Sequence, residues 1–120
     1  MSTARQSSIS AKGSLPVTES RLQEIVERIV RAFDPERIIL FGSQASGETG
    51  PASDVDLLVV MENGEGPMQR SAQVARVLLD IPFPIDILVR TPEELEHRLD
   101  IGDYFIREIV EDGRVLYERS

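Results

Sequence analysis

Cysteine is missing from all 120 residues, which removes at once a disulfide framework, a thiolate nucleophile and a zinc-finger type of site. Positive charge is scarce. Thirteen Lys and Arg stand against 21 Asp and Glu, for a formal charge of −8. Proteins that grip nucleic acid do so with basic patches that neutralise phosphates, so DNA or RNA is disfavoured as a partner. No apolar run approaches the roughly 18 residues of a membrane span, and the N-terminus lacks the apolar core of a secretory signal. A cytoplasmic protein with no membrane contact is the expectation. Internal repeats are absent as well, and the length suits one domain, with room for one sheet and its covering helices.

Met1 to Val17 is serine-rich, contains Gly13 and Pro16, and shows no apolar period, so residues 1–17 read as a flexible leader and residues 18–120 as the folded domain. From Thr18 onward Leu22, Ile25, Val26, Ile29, Val30 and Phe33 recur at helical spacing. The helix starts at Thr18 or at a Ser20–Gln23 capping box, and Asp34-Pro35 stops it. Pro67 suits the first position of a second helix, for which Met68, Ala72, Ala75, Leu78 and Leu79 are the expected buried stripe, with Met68 as core filler. Thr91-Pro92-Glu93-Glu94 combines an N-cap, a proline at N1 and a capping-box Glu at N3. A last helix over Tyr104–Asp112 is expected to bury Phe105, Ile106, Ile109 and Val110, with Gly113 as its C′ residue, before a short strand at Val115-Leu116-Tyr117. His97, the only histidine, shares its helix with Glu93, Glu94, Glu96 and Arg98 and reads as a solvated surface residue.

The stretch that carries chemistry is Arg37 to Val60, RIILFGSQASGETGPASDVDLLVV. It reads as an apolar, β-branched strand, a glycine-rich loop opening with Gly42-Ser43, and a second apolar strand into which Asp54 and Asp56 are set one residue apart. Residues i and i+2 of a strand share a face, with Cα atoms roughly 6.5 to 7 Å apart. Two carboxylates that close raise each other's pKa unless a cation intervenes, and a hard divalent metal is the usual remedy. Asp is also a weak strand former, so Asp56 inside an apolar strand demands a reason. Gly42 permits close approach of backbone to a ligand, and Ser43 offers a hydroxyl to a phosphate. A third strand over Ile81–Val89 carries Asp86 between Ile85 and Ile87, where it is expected to join the Asp54–Asp56 side.

The Gly-Ser turn separated by ten residues from an Asp-x-Asp pair resembles the nucleotidyltransferases of the DNA polymerase beta superfamily, and more narrowly the minimal nucleotidyltransferases of prokaryotes that are often paired with a helical HEPN-domain toxin. The resemblance covers about residues 18 to 118. It implies an α/β nucleotidyltransferase fold, a small mixed sheet with helices packed on one side. It also implies a nucleotide site at Gly42 and Ser43 and magnesium, two ions, held by Asp54, Asp56 and Asp86 as catalytic residues.

The activity implied is transfer of AMP from ATP to a hydroxyl, a tyrosine of the partner toxin in those relatives that act as antitoxins, within a hetero-oligomer. The small size agrees, because larger superfamily members hold the acceptor on additional domains, and a drug-modifying transferase would need one. One departure stands out. The Gly-Ser-Arg-x-Arg-Gly pattern common in the family has Gln44 and Ser46 at its two basic positions here. A triphosphate carries about four negative charges, so metals, helix N-termini, Arg70, Arg90 or a partner's basic residues would have to substitute. The alternative reading is a binding module of the same fold that covers its partner's active site stoichiometrically, without catalysis.

Overall fold

Apolar side chains alternate on both faces of the central strands, and this decides the layering. The structure, a computed structural model, describes residues 17–42, 55–62 and 66–119. The elements in chain order are α1 (Glu19–Phe33), β1 (Arg37–Phe41), β2 (Val55–Val60), α2 (Pro67–Arg76), β3 (Ile85–Arg90), α3 (Pro92–Asp100), α4 (Tyr104–Asp112) and β4 (Arg114–Glu118). The four strands form one sheet in the order β3-β2-β1-β4. β1 pairs antiparallel with β2 and with β4, while β2 and β3, joined through α2, run parallel. The expected α/β fold with a small mixed sheet is thus the one observed.

The helices, expected on one side, are shared between the two faces. Ile38, Leu40, Val55, Leu57 and Val59 pack with Leu22, Ile25, Val26 and Ile29 of α1 and Val74 of α2. Ile39, Leu58 and Val60 point the other way, against Leu95 of α3 and Ile106 and Ile109 of α4. Strands apolar on both faces need cover on both.

Thr18 is the N-cap of α1, its side chain accepting from the Arg21 N–H at 3.1 Å. Val17 just before it and Leu22, four residues into the helix, belong to one core cluster, the positions of a hydrophobic staple. The helix ends at Asp34 in the left-handed region, φ 49° and ψ 58°, its N–H donating to the Val30 carbonyl. Asp tolerates that conformation better than most residues, and the following Pro35 disfavours a further helical turn.

Of the expected stripe of α2 only Leu78 is buried, and the rest is corrected by the structure. Met68 and Leu79 are 86% and 80% exposed, and Ala72 and Ala75 are exposed as well. The inward face is instead Arg70, Val74, Val77 and Leu78, spaced i, i+4, i+7 and i+8. A buried arginine occupies a core-facing position, and an apolar count cannot see it. Its Nη2 donates to Glu94 Oε1 at 2.9 Å. Glu94 is also the N3 residue of the capping box of α3, accepting from the Thr91 N–H at 2.9 Å while Thr91 Oγ1 accepts from the Glu94 N–H at 3.0 Å.

The Thr91 N–H, and after it the Arg70 guanidinium, hold the Glu94 carboxyl below the usual glutamate range. A depressed folded-state pKa contributes stability above the unfolded value of about 4.3, lost as pH falls through the folded value. Glu94→Gln keeps a side chain able to cap but loses the charge, and is expected to cost about 1 kcal/mol at pH 7 and less at pH 3. Glu94→Ala loses both the cap and the ion pair with Arg70, for about 2 to 3 kcal/mol. Urea denaturation of both variants at the two pH values checks this order.

Candidate active site

Strand register lines up a polar row at one end of the sheet. Phe41 of β1 is the cross-strand partner of Asp56 in β2, and Asp56 is in turn the partner of Asp86 in β3. Directly paired residues project to the same face, so these three side chains stand side by side on the α3–α4 side, with neighbouring strands roughly 4.8 Å apart. The next row on that face is Ile39, Leu58 and Leu88, and all three belong to the core beneath α3 and α4. The acids therefore begin where the helical cover ends. Asp56 is half-buried and Asp86 exposed.

Gly42 follows Phe41 directly and bends the chain away with φ +80°, a conformation that L side chains rarely adopt. A Cβ there would collide with Asp56 Oδ2. Glycine is required twice over, for the turn and for the carboxylate lying against its backbone. Close approach recurs at Gly113. Its φ of −72° is ordinary, so it does not fill the left-handed C′ role that the sequence suggests. A side chain at Gly113 would strike Ile39 Cγ2 and the Ile109 carbonyl, and its absence lets the end of α4 lie tight against β1.

Between α4 and the end of β1 opens a cavity of about 500 Å³, lined by Phe41, Gly42 and Asp56 on the strand side and by Phe105, Glu108, Ile109, Asp112 and Gly113 on the helix side. Phe105, expected in the core, is 53% exposed, and its ring meets Phe41 edge-on at 5.9 Å and 83°. Apolar periodicity picks out Phe105 but not Glu108 and Asp112 beside it. Their signal is spacing alone: i, i+3 and i+7 put an aromatic and two acids on one face beside the buried Ile106 and Ile109.

Of the residues expected to form the site, Gly42, Asp56 and Asp86 are brought together, while Ser43 and Asp54, with the loop positions Gln44 and Ser46, lie outside the described residues. Neither arginine offered as a substitute for the missing loop cations reaches the site. Arg70 is 2% exposed and engaged with Glu94. Arg90 shares a face with Asp86 but sits four residues further along β3, roughly 13 Å away, its Nη1 donating to the Val89 carbonyl. Among the described residues no three His, Cys, Asp or Glu side chains gather closely enough to hold a metal ion. Asp56 and Asp86 nonetheless supply hard oxygen donors on adjacent strands of one face. This donor set fits a hard divalent cation needing further oxygen ligands from loop, nucleotide or water.

Residues 20–116 match the family model described as nucleotidyltransferase domain. A protein of Methanocaldococcus jannaschii named a putative protein adenylyltransferase is 32% identical over 83 residues, covering 68% of this chain and 78% of that protein. The crystal structure of a putative nucleotidyltransferase from Sulfolobus solfataricus superposes with a TM-score of 0.59 at 25% identity, over 83% of this chain and 79% of the other.

Proposed function

The chain belongs to the nucleotidyltransferase domain family, and we propose that it transfers AMP from ATP to a hydroxyl of a protein, with a tyrosine of a HEPN-domain toxin as the acceptor and magnesium as the metal. The observation that carries the reading is the pairing of Asp56 with Asp86 on one face of the sheet, against the backbone of Gly42. Transfer of this kind asks little covalent chemistry of the protein, since the work is in-line positioning and charge neutralisation. Asp56, Asp86 and Asp54 would hold the magnesium, which when bound supplies charge stabilisation to the phosphates.

The chain's own residues then have separate tasks. Gly42 and Ser43 receive the triphosphate. The acceptor hydroxyl oxygen attacks the α-phosphorus, a new P–O bond forms, the bond to the bridging oxygen of the β-phosphate breaks, and pyrophosphate leaves. The hydroxyl proton passes to the exposed carboxylate of Asp86 and from there to water. A protein acceptor is supported by the net charge of −8, which opposes a polyanionic one, and by the name of the Methanocaldococcus relative.

A second reading, a stoichiometric antitoxin without catalysis, is favoured by one observation: among the described residues the cavity lining contains three acids and no cation. The two readings part at Gln44 and Ser46. A charge-assisted hydrogen bond to phosphate contributes about 1.5 to 3 kcal/mol. In an active transferase, Gln44→Arg or Ser46→Arg is expected to lower the KM for ATP about tenfold or more, with transfer still dependent on Asp56. A binding module would show no ATP use in either variant. Steady-state pyrophosphate release over a range of ATP concentrations distinguishes the two.

A further inference from the structure

Among the described residues the sheet ends at β3, and that edge carries no further strand. The Pro84 carbonyl accepts from the Val55 N–H and the Arg90 carbonyl from the Met61 N–H, so the even-numbered residues of β3 turn their backbone groups to β2. Ile85, Ile87 and Val89 therefore turn their N–H and carbonyl groups outward. An open edge of this kind is a template for another strand, and proteins blunt it with charge, proline or cover. On the α1–α2 face this edge is apolar instead: Leu79, 80% exposed, joins Ile81, Phe83, Ile85 and Ile87 around a cleft of about 190 Å³. On the other face stand Asp86, Leu88 and Arg90, an acid and a base symmetrically placed about a leucine. The Arg90 guanidinium already lies along the edge, Nη1 donating to the outward Val89 carbonyl at 2.8 Å.

We propose that the occupant of this edge is a second copy of the chain, paired antiparallel with β3 about a two-fold axis at Leu88, so that the partner's Arg90 stands beside Asp86. Two conditions fix the register. Outward residues must face outward residues, so Ile85, Ile87 and Val89 can oppose only one another or Thr91, the next residue of that parity. Charges must also be matched, because like charges directly opposite are destabilising. Centring the axis on Asp86 or on Arg90 sets each against its own copy, and the registers between leave each charge opposite Leu88 or a proline. With the axis at Leu88, Ile87 meets the partner's Val89, and each Asp86 meets an arginine, twice by symmetry. This pair is of the non-hydrogen-bonded kind, with Cα atoms about 4.5 Å apart and side chains close. The proposed transfer gives the pairing its consequence, and this part rests on that reading. Each site gains from the other copy the cation that Gln44 and Ser46 do not supply, a guanidinium suited to a triphosphate beside the row of acids.

Sedimentation velocity on the full chain is expected to show a dimer, twice the 13.4 kDa of one copy. Ile87→Pro removes an outward N–H that the pairing with β2 does not use, and is expected to give a folded monomer. Arg90→Asp is expected to weaken dimerisation at least tenfold, and Asp86→Arg with Arg90→Asp, which exchanges the two charges, to restore it. For the shared site, Asp86→Asn and Arg90→Ala chains, each poor in transfer alone, are mixed. Recovery is expected in the mixed dimer, where Asp86 of one copy meets the partner's Arg90 in one of the two sites. A monomer at every concentration of the unaltered chain overturns the inference, and if Ile87→Pro then abolishes binding of a HEPN-domain toxin, the edge belongs to that partner. A dimer indifferent to Ile87→Pro and Arg90→Asp overturns it as well, since the contact then lies elsewhere. Transfer by the unaltered chain without recovery in the mixture contradicts the shared site. A dimer that follows the charge exchange but transfers nothing supports the strand pairing and contradicts the transferase reading, so the two failures are distinct.

Discussion

Asp56→Asn is expected to reduce nucleotide transfer by about 10³-fold or more while leaving the protein folded, with a Tm within about 5 °C of the parent. A metal's charge stabilisation in such a transfer amounts to several kcal/mol, and about 4 kcal/mol corresponds to a factor of 10³ in rate. The amide has the carboxylate's shape, so the close approach to Gly42 is kept while the charge is lost. Stability should hold because Asp56 stands at the margin of the α3–α4 core, outside the row of Ile39, Leu58 and Leu88 that the helices cover. A fall in Tm of ten degrees or more in metal-free buffer, with transfer preserved, would make Asp56 a structural residue and remove the reason for assigning it to the site. Asp86→Asn should follow the same pattern with an even smaller change in Tm, being exposed.

Gly42→Ala is expected to damage both stability and activity. Forcing an L side chain to φ +80° costs about 1 to 2 kcal/mol, and the added Cβ displaces the Asp56 carboxylate that lies against it. A shift of about 1 Å in a positioning group can cost about 10²-fold in rate, so transfer should drop at least that much beyond any loss of folded protein. Asp56→Asn and Gly42→Ala thus separate two effects on the same carboxylate: charge removed with geometry kept, and geometry displaced with charge kept. Chemical denaturation beside steady-state rates checks both. An unchanged rate in Gly42→Ala would mean that the Asp56 side chain has no part in the reaction.

Much of the fold was legible because local chemistry and global packing agree. Thr91, Pro92 and Glu94 announce α3 and form the expected reciprocal cap. The apolar spacing from Leu22 to Phe33 is the spacing of the buried face of α1. Asp56 and Asp86 betray themselves as acids in apolar strands, and the parallel register sets them side by side. Three features were hidden for physical reasons. The face of α2 was misread because Arg70 is buried by pairing with Glu94, a contact 24 residues away that no helical periodicity encodes. Distribution of the helices over both faces follows from crossover connections, whereas alternation in a strand says only that each face needs cover. The helix-side wall of the cavity, with Glu108 and Asp112, was hidden because exposed acids on a helix look like solubilising charge until the sheet places Asp56 across from them.

The most direct measurement supplies the purified chain with ATP labelled at the α-phosphate, magnesium and a HEPN-domain toxin, and follows label on the toxin together with its activity. Transfer of AMP to the toxin predicts label on a toxin tyrosine, equimolar pyrophosphate and progressive silencing of the toxin, all lost with the Asp54→Ala, Asp56→Ala double variant. Full inhibition of the toxin by that double variant at one-to-one stoichiometry, without ATP and without label, would contradict it.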